Sequence, residues 1–180
     1  MQPAHFLLLL LLSILSISAI IDLRTQKIPN LITVPSVIIA LIYHYFTNGI
    51  DGLIFSLLGL GTGIALLIIP YMLGGMGAGD AKLMGAVGAI LGIKGVFVAF
   101  LFTALVGGIY SLVTIMLHRK QFKGFFKKQL ITLKLFILTR KFIPDPVEEN
   151  HKKPKMCYGV AIALGTFIYM GLDISGHYLI

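Results

Sequence analysis

Long uninterrupted stretches of apolar residues dominate this chain and restrict what it can fold into. A helix needs about 20 such residues to cross the hydrocarbon core of a bilayer, and somewhat fewer when neighbours cover its ends. Four clear stretches have this character, at roughly 4–21, 31–47, 52–73 and 157–173. With 57% hydrophobic residues, 12% charged residues and a mean hydropathy of +0.94, the chain is too apolar for a water-soluble domain. We therefore predict an integral membrane protein built of helices.

The apolar stretch at 83–117 is too long for one ordinary span. It contains 35 residues, and Gly92-Ile93-Lys94-Gly95 interrupts it with a charge and two helix-weakening glycines. We divide it into two spans, 81–92 and 95–117. The prediction is a single membrane-embedded domain over residues 1–180, an all-α bundle of about six transmembrane helices.

The positive charges predict how the chain crosses the membrane, because loops rich in lysine and arginine stay in the cytoplasm. With the N-terminus outside, only Lys94 of the 15 lysine and arginine residues lies outside. We therefore predict a multi-pass protein of the cytoplasmic membrane with its N-terminus outside. Topology and contact with anionic lipid account for the net charge of +8, so the bilayer is a predicted partner and nucleic acid is not.

The most basic segment, 118–155, is predicted to lie in the cytoplasm. Its first part, 118–141, interleaves basic and apolar residues at helical spacing, as an amphipathic helix at the membrane interface does. Its apolar members include Phe122, Phe125, Phe126, Leu130, Leu133 and Ile137. Packing on the lipid surface is the prediction for this segment, and contact with a substrate stays open.

Cysteine and histidine are too sparse to indicate a metal site. The single cysteine, Cys157, excludes an internal disulfide and any zinc site built on paired cysteines. The five histidines are scattered and form no His-Glu-x-x-His motif. We expect no metal and no other cofactor.

Two aspartates lie at the edges of apolar stretches, where an acidic side chain is unfavourable and its presence indicates a function. Asp22 ends the first predicted span, and Asp80 begins the fourth. The predicted topology puts both at the cytoplasmic face, so the fold can bring them together. Two close carboxyl groups cannot both ionise cheaply, so one can act as a base on water while the protonated one donates to the carbonyl oxygen of an amide. The pair indicates an aspartic protease.

Glycines crowd the sequence directly before Asp80. Four of the six residues at 74–79 are glycine, which predicts a non-helical strip that lines protein or a wet cavity. Such a strip can hold an extended peptide through main-chain hydrogen bonds. Two structural alternatives stay open for the acids: Asp80 caps a helix, and Asp22 pairs with Arg24 or Lys27 in a loop.

Two motifs resemble the signature regions of the type IV prepilin leader peptidases, polytopic aspartic proteases of the GxGD type. One runs from Asp22 to Ile28-Pro29-Asn30, and the other is Gly-Met-Gly-Ala-Gly-Asp-Ala-Lys-Leu at 75–83. The segment 156–165 is similar to the small-residue helix that closes the family's fold. The resemblance implies that Asp22 and Asp80 are the catalytic pair. It also implies a substrate-binding motif made of Gly77, Ala78, Gly79 and Lys82.

The resemblance further implies a substrate and a reaction. The substrate is a prepilin-like precursor with a short basic leader and a hydrophobic helix, cut at the cytoplasmic face just before that helix. The bifunctional bacterial enzymes carry a cytoplasmic insertion with paired cysteines, whereas 21 residues precede Asp22 here and only one cysteine exists. We therefore expect no methyltransferase activity. In size the chain is similar to the peptidase-only forms of tight-adherence pili and to the archaeal preflagellin peptidases.

Other classes of protein can be compared with this interpretation. Signal peptide peptidases and presenilins share GxGD, but their Tyr-Asp and Pro-Ala-Leu signatures are absent from this chain. A small proton-coupled transporter or channel also places acids in the membrane, and it would distribute them through the depth rather than at one face. A scaffold without chemistry would require neither carboxylate. No oligomeric state is predicted.

Overall fold

The computed structural model describes residues 5–72, 76–117 and 158–174. Every secondary-structure element within these ranges is a helix. The four helices are α1, His5–Thr25; α2, Asn30–Met72; α3, Ala78–Leu117; and α4, Tyr158–Ile174. The predicted cytoplasmic segment 118–155, with its amphipathic helix at 118–141, lies outside the described residues.

The chain divides into two compact units. The first consists of Met1–Gly107 and Met156–Ile180, and the second of Gly108–Lys155. The second unit is described only at its beginning, where α3 runs to Leu117. Asp22, Asp80 and the start of α4 all belong to the first unit.

The length and apolar character of these helices match the prediction of a membrane protein. Three of the described helical segments are long and apolar enough to cross a membrane, and a fourth, Tyr158–Leu172, is a shorter apolar helix. The three are Phe6–Thr25, Asn30–Met72 and Ala78–Val113. Large apolar side chains are exposed along them, as at Leu31 and Phe46, which are 84% and 81% exposed. Lipid tails are the solvent that suits such a surface.

The helix α2 is too long for one straight span, and its chain reverses at Gly49. Its 43 residues would extend about 64 Å if straight, roughly twice the thickness of the hydrocarbon core. Gly49 has φ 63° and ψ −140°, a conformation that glycine adopts far more easily than other residues. A Cβ added to Gly52 would overlap the carbonyl oxygen of His44, eight residues earlier. The parts of α2 before and after Gly49 therefore pack as a helical hairpin.

The helix α3 reverses in the same way at Gly92, within the predicted interruption at 92–95. Gly92 has φ 74° and ψ −175°, and the ring of Phe55 fills the space that a Cβ there would need. A Cβ on Gly88 would lie 3.3 Å from Cγ2 of Val96, although residues eight apart in a straight helix are separated by about 12 Å. The chain thus turns back between these two residues.

The second part of α2 and the first part of α3 pack with their backbones in contact. Added Cβ atoms on Gly59 and Gly63 would overlap the carbonyl oxygens of Gly88 and Met84. The Ser56 hydroxyl donates a hydrogen bond of 2.7 Å to the carbonyl oxygen of Ala89. Small residues allow this close approach. The van der Waals packing that results helps to drive the association of helices in lipid.

The first part of α3 is the centre of the described bundle. All residues at 83–92 are buried. The second part of α3 packs antiparallel to α4. The hydroxyl of Tyr158 would lie 3.1 Å from a Cβ on Gly107, and the hydroxyl of Tyr169 would lie 3.2 Å from one on Gly95. This pairing places the start of α4 at the same end of the bundle as the start of α3.

Candidate active site

Asp22 lies on the buried face of α1, three residues before the helix ends. Its side chain is 4% exposed and continues a buried stripe along the helix. The donors of hydrogen bonds to the Asp22 carboxyl group come from the start of α4. The first backbone N–H groups of a helix have no partner within their own helix. Gly159 N–H donates a hydrogen bond of 2.9 Å to Oδ2 of Asp22, and the backbone of Val160 is a second donor. The buried stripe consists of Leu7, Leu11, Leu15, Ser18 and Asp22.

Asp80 is the third residue of α3 and is 8% exposed. Its Oδ2 accepts a hydrogen bond of 2.9 Å from Gly77 N–H, and its own N–H donates to the carbonyl oxygen of Gly77 at 3.1 Å. The bond from Gly77 N–H to the Asp80 carboxyl group is one half of a capping box, and glycine in the cap position has no side chain to form the other half. The helix-capping alternative for Asp80 is therefore observed, and it fixes the orientation of the carboxyl group at the helix start.

The fold brings the two aspartates near each other, although they are far apart in the sequence. The carboxyl groups of Asp22 and Asp80 lie close enough for their charges to interact. Tyr158 also lies within electrostatic range of Asp80. Two buried acids on different helices thus share one end of the bundle with the start of α4. Such a pair can divide the roles of acid and base between its members.

The turn between α1 and α2 packs against both acid-bearing segments. Gln26 leaves α1 with φ 53°, and its N–H donates to the carbonyl oxygen of Asp22 at 2.9 Å. Ile28 is then buried, at 8% exposure. Asn30 begins α2, and its Oδ1 accepts a hydrogen bond of 2.9 Å from Nζ of Lys82. Lys82 is exposed, so this contact connects the two motifs at the surface.

The residues of the glycine motif have different environments. Gly77 and Ala78 are exposed, whereas Gly79 packs against Ile28. The prediction of a non-helical strip over 74–79 was wrong for Ala78 and Gly79, because α3 begins at Ala78 once Asp80 caps it. Gly79 has no positive φ either. Glycine is needed at position 79 because there is little space for a side chain: an added Cβ would lie 3.0 Å from Cβ of Ile28.

Sequence reasoning missed two residues of this site, Ile28 and Gly159, as functional residues. Both lie within the segments that resemble the family, but neither has a side chain with chemistry of its own. The available signal was indirect: Ile28 is an apolar residue in a polar turn, and Gly159 begins an apolar helix. Among the described residues, no group of three histidine, cysteine or acidic side chains is placed to hold a metal ion.

Comparison with known proteins adds a family match. The model of the type IV leader peptidase family matches residues 9–112, more than half of the chain, and this range includes Asp22 and Asp80. The prepilin leader peptidase/N-methyltransferase of Bacillus subtilis (strain 168) is 31% identical over 110 residues, which is 60% of this chain and 44% of that protein. The chain thus matches less than half the length of this curated relative. No solved structure matches the chain significantly.

Proposed function

Because this chain belongs to the type IV leader peptidase family, we propose that it is a membrane aspartic endopeptidase with Asp22 and Asp80 as its catalytic pair. Its substrates are prepilin-like precursors, from which it removes a short basic leader at the cytoplasmic face. Hydrolysis occurs just before the hydrophobic helix of the precursor. The motif residues Gly77, Ala78, Gly79 and Lys82 form the side of the site that meets the substrate.

The observation that carries this proposal is the pair of buried carboxyl groups at one end of the bundle. Asp22 and Asp80 come from separate helices, and each has one oxygen held by a backbone N–H at 2.9 Å. Backbone donors of this kind orient a carboxyl group without a flexible side chain, so the pair is already arranged before a substrate arrives. Among the described side chains, these are the only buried acids.

The chemistry follows from the repulsion that would arise if both carboxyl groups were ionised. One carboxyl group of the pair is ionised and the other keeps its proton. The carboxylate takes a proton from water while the water oxygen bonds to the carbonyl carbon of the scissile amide, and the protonated acid donates to the carbonyl oxygen. The diol intermediate then collapses, the C–N bond breaks, and a proton passes to the leaving nitrogen. Water is the co-reactant, and both acids return to their starting states.

The membrane arrangement that fits this function has six crossings. The reversals at Gly49 and Gly92 supply two crossings each from α2 and α3, and α1 and α4 supply one each. Asp22, Asp80 and the start of α4 then share the cytoplasmic end, with the N-terminus outside. The segment 118–155, which lies outside the described residues, then belongs to the cytoplasmic side. The protein acts as a peptidase without methyltransferase activity.

A proton-coupled transporter or channel is the second class that uses buried acids. Transport across the membrane needs titrating groups at several depths, whereas Asp22 and Asp80 both lie in the terminal turns of their helices. Their position at one end of the bundle favours hydrolysis at the membrane surface. A protease of the signal-peptide-peptidase type shares GxGD but lacks support from the family match.

The test is cleavage of a prepilin-like precursor by the purified full-length chain in detergent, followed by gel shift. We expect the wild-type protein to shorten the precursor and Asp22→Asn or Asp80→Asn to abolish the reaction. Asn keeps the shape of the side chain, so both variants should fold. The matched control is Asp51→Asn, because Asp51 is exposed and lies just after the reversal at Gly49, in the middle of α2 and away from its two ends. Intact precursor, together with proton flux in liposomes that depends on Asp22 and Asp80, would favour the transporter instead.

A further inference from the structure

Ile28 lies between the start of α3, which carries Asp80, and the start of α4, which donates a hydrogen bond to Asp22. A Cβ built on Gly79 would lie 3.0 Å from Cβ of Ile28 and 3.1 Å from its carbonyl oxygen. A Cβ built on Gly159 would lie 3.1 Å from Cδ1 of Ile28. Gly79 directly precedes Asp80, and Gly159 donates one of the hydrogen bonds to Asp22. One residue thus touches the neighbour of one aspartate and a hydrogen-bond donor of the other.

The position of Ile28 is itself well defined. Its side chain is 8% exposed and belongs to the buried apolar cluster of the first unit. Pro29 follows it and restricts its backbone to extended conformations. The branch at Cβ restricts rotation of the side chain about χ1. Ile28 therefore presents its backbone and Cβ to Gly79, and Cδ1 to Gly159, with little freedom to move away.

We propose that Ile28 is a positioning residue for the catalytic pair, setting the separation of Asp22 and Asp80 through its contacts with Gly159 and Gly79. The inference rests on the proposed peptidase function. Ile28 occupies the space beside Gly79, and at Gly159 it shares this space with Oδ2 and Cβ of Asp22, at 3.0 Å and 3.2 Å from an added Cβ. A displacement of one acid relative to the other by about 1 Å lowers the rate of the chemical step by up to about 100-fold.

The contacts suggest a test by rescue. Gly159→Ala places a methyl group 3.1 Å from Cδ1 of Ile28 and 3.0 Å from Oδ2 of Asp22. We expect kcat for precursor cleavage to fall ~10-fold or more, with KM changed less than ~3-fold, because the loss lies in alignment rather than binding. Ile28→Val removes only Cδ1. The space left by Cδ1 lets the methyl group move away from Asp22, so the double variant Ile28→Val/Gly159→Ala should recover ~5-fold or more of the lost kcat.

The matched control uses the same partner residue. The methyl group added by Gly79→Ala would lie 3.0 Å from Cβ of Ile28, 3.1 Å from its carbonyl oxygen and 3.3 Å from its backbone nitrogen. Valine keeps all three atoms, so Ile28→Val should not rescue Gly79→Ala. Rescue of Gly159→Ala alone supports the proposal. Equal rescue of both variants, or rescue of neither, overturns it.

Melting temperatures in detergent separate positioning from folding. Recovery of the melting temperature without recovery of kcat in Ile28→Val/Gly159→Ala would show that Ile28 only packs, and this result overturns the proposal. Ile28→Leu is a second variant, which moves the branch point and keeps the volume. We expect it to lower kcat ~10-fold while the melting temperature stays near that of the wild type, and unchanged kcat would contradict the proposal.

The same experiment distinguishes failure of this inference from failure of the proposed function. A wild-type chain that cleaves no precursor overturns both. A wild-type chain that depends on Asp22 and Asp80, but shows no selective rescue by Ile28→Val, overturns only the role of Ile28.

Discussion

Gly159 N–H donates a hydrogen bond of 2.9 Å to Oδ2 of Asp22, across 137 residues of sequence. Asp80 accepts the equivalent bond from Gly77, three residues away and also at 2.9 Å. Both donors belong to helix starts, where backbone N–H groups lack partners within the helix. The orientation of Asp80 thus depends on its own helix, whereas that of Asp22 depends on the packing of α4 against α1.

Gly79→Val should lose activity because Gly79 has no room for a larger side chain. A Cβ there would lie 3.0 Å from Cβ of Ile28 and 3.3 Å from its backbone nitrogen. Overpacking of this kind costs about 1–3 kcal/mol, and we expect precursor turnover to fall ~10-fold or more. The control is Gly61→Val, since a Cβ on Gly61 has nothing within 4 Å. Wild-type turnover by Gly79→Val would show that the contact with Ile28 does not constrain the site.

Gly77 should tolerate alanine but not proline. Its N–H is the donor to Oδ2 of Asp80, and proline removes this donor. Leaving a buried carboxyl oxygen without this partner costs about 1–3 kcal/mol, so we expect Gly77→Pro to lower kcat ~10-fold or more. An alanine Cβ would lie 3.4 Å from Oδ2 of Asp80, an ordinary contact. Gly77→Ala should therefore stay within ~3-fold of wild type. Equal losses in the two variants would argue against the role of the N–H.

Gly59→Ala and Gly63→Ala should destabilise the bundle. Each added methyl group would meet the backbone of α3, at Gly88 and Met84 respectively, so the helices would have to separate. We expect a loss of about 1–3 kcal/mol in the free energy of unfolding, seen as a lower melting temperature in detergent. Gly61→Ala is the control on the same helix, with open space around it. A melting temperature equal to that of Gly61→Ala would contradict the observed packing.

Single cysteines should report the proposed topology. On a Cys157→Ser background, cysteines at 51 and 94 should react with an impermeant thiol reagent added from outside. Cysteines at 27 and 82, which are exposed in the structure, should react only after the cytoplasmic face is opened. Labelling of residue 27 from outside would place Asp22 at the wrong face for a precursor leader.

Much of the helical architecture follows from local properties of the sequence. The length of the apolar stretches predicts the helices, and the interruption at 92–95 predicts a break that the structure places at Gly92. The predicted gap between 47 and 52 contains the reversal at Gly49. The start of the helix itself was not apparent from the sequence. α3 begins at Ala78, before the predicted membrane span at 81–92, because the cap formed by Asp80 overrides the weak helix preference of glycine.

The spacing of residues along α1 also indicates that Asp22 is buried, although the composition of the helix does not. Leu7, Leu11, Leu15, Ser18 and Asp22 recur at helical spacing, and all five are buried. The neighbours on α1 are equally apolar, so hydropathy does not mark this stripe. The polar members, Ser18 and Asp22, mark it instead, because a polar side chain in a membrane helix faces protein rather than lipid.

By itself the sequence determined that this protein is a set of apolar helices with two acids at helix ends, because span length and charge are local properties of the chain. Only the tertiary structure decided which faces meet protein. The helix α3 is apolar all round, yet its residues 83–92 are buried while many apolar residues of α2 are exposed. Lipid tails are as apolar as a protein core, so hydropathy does not distinguish the two. The contacts of Ile28 with Gly79 and of Gly159 with Asp22 depend on that packing, because they join residues that no local pattern relates.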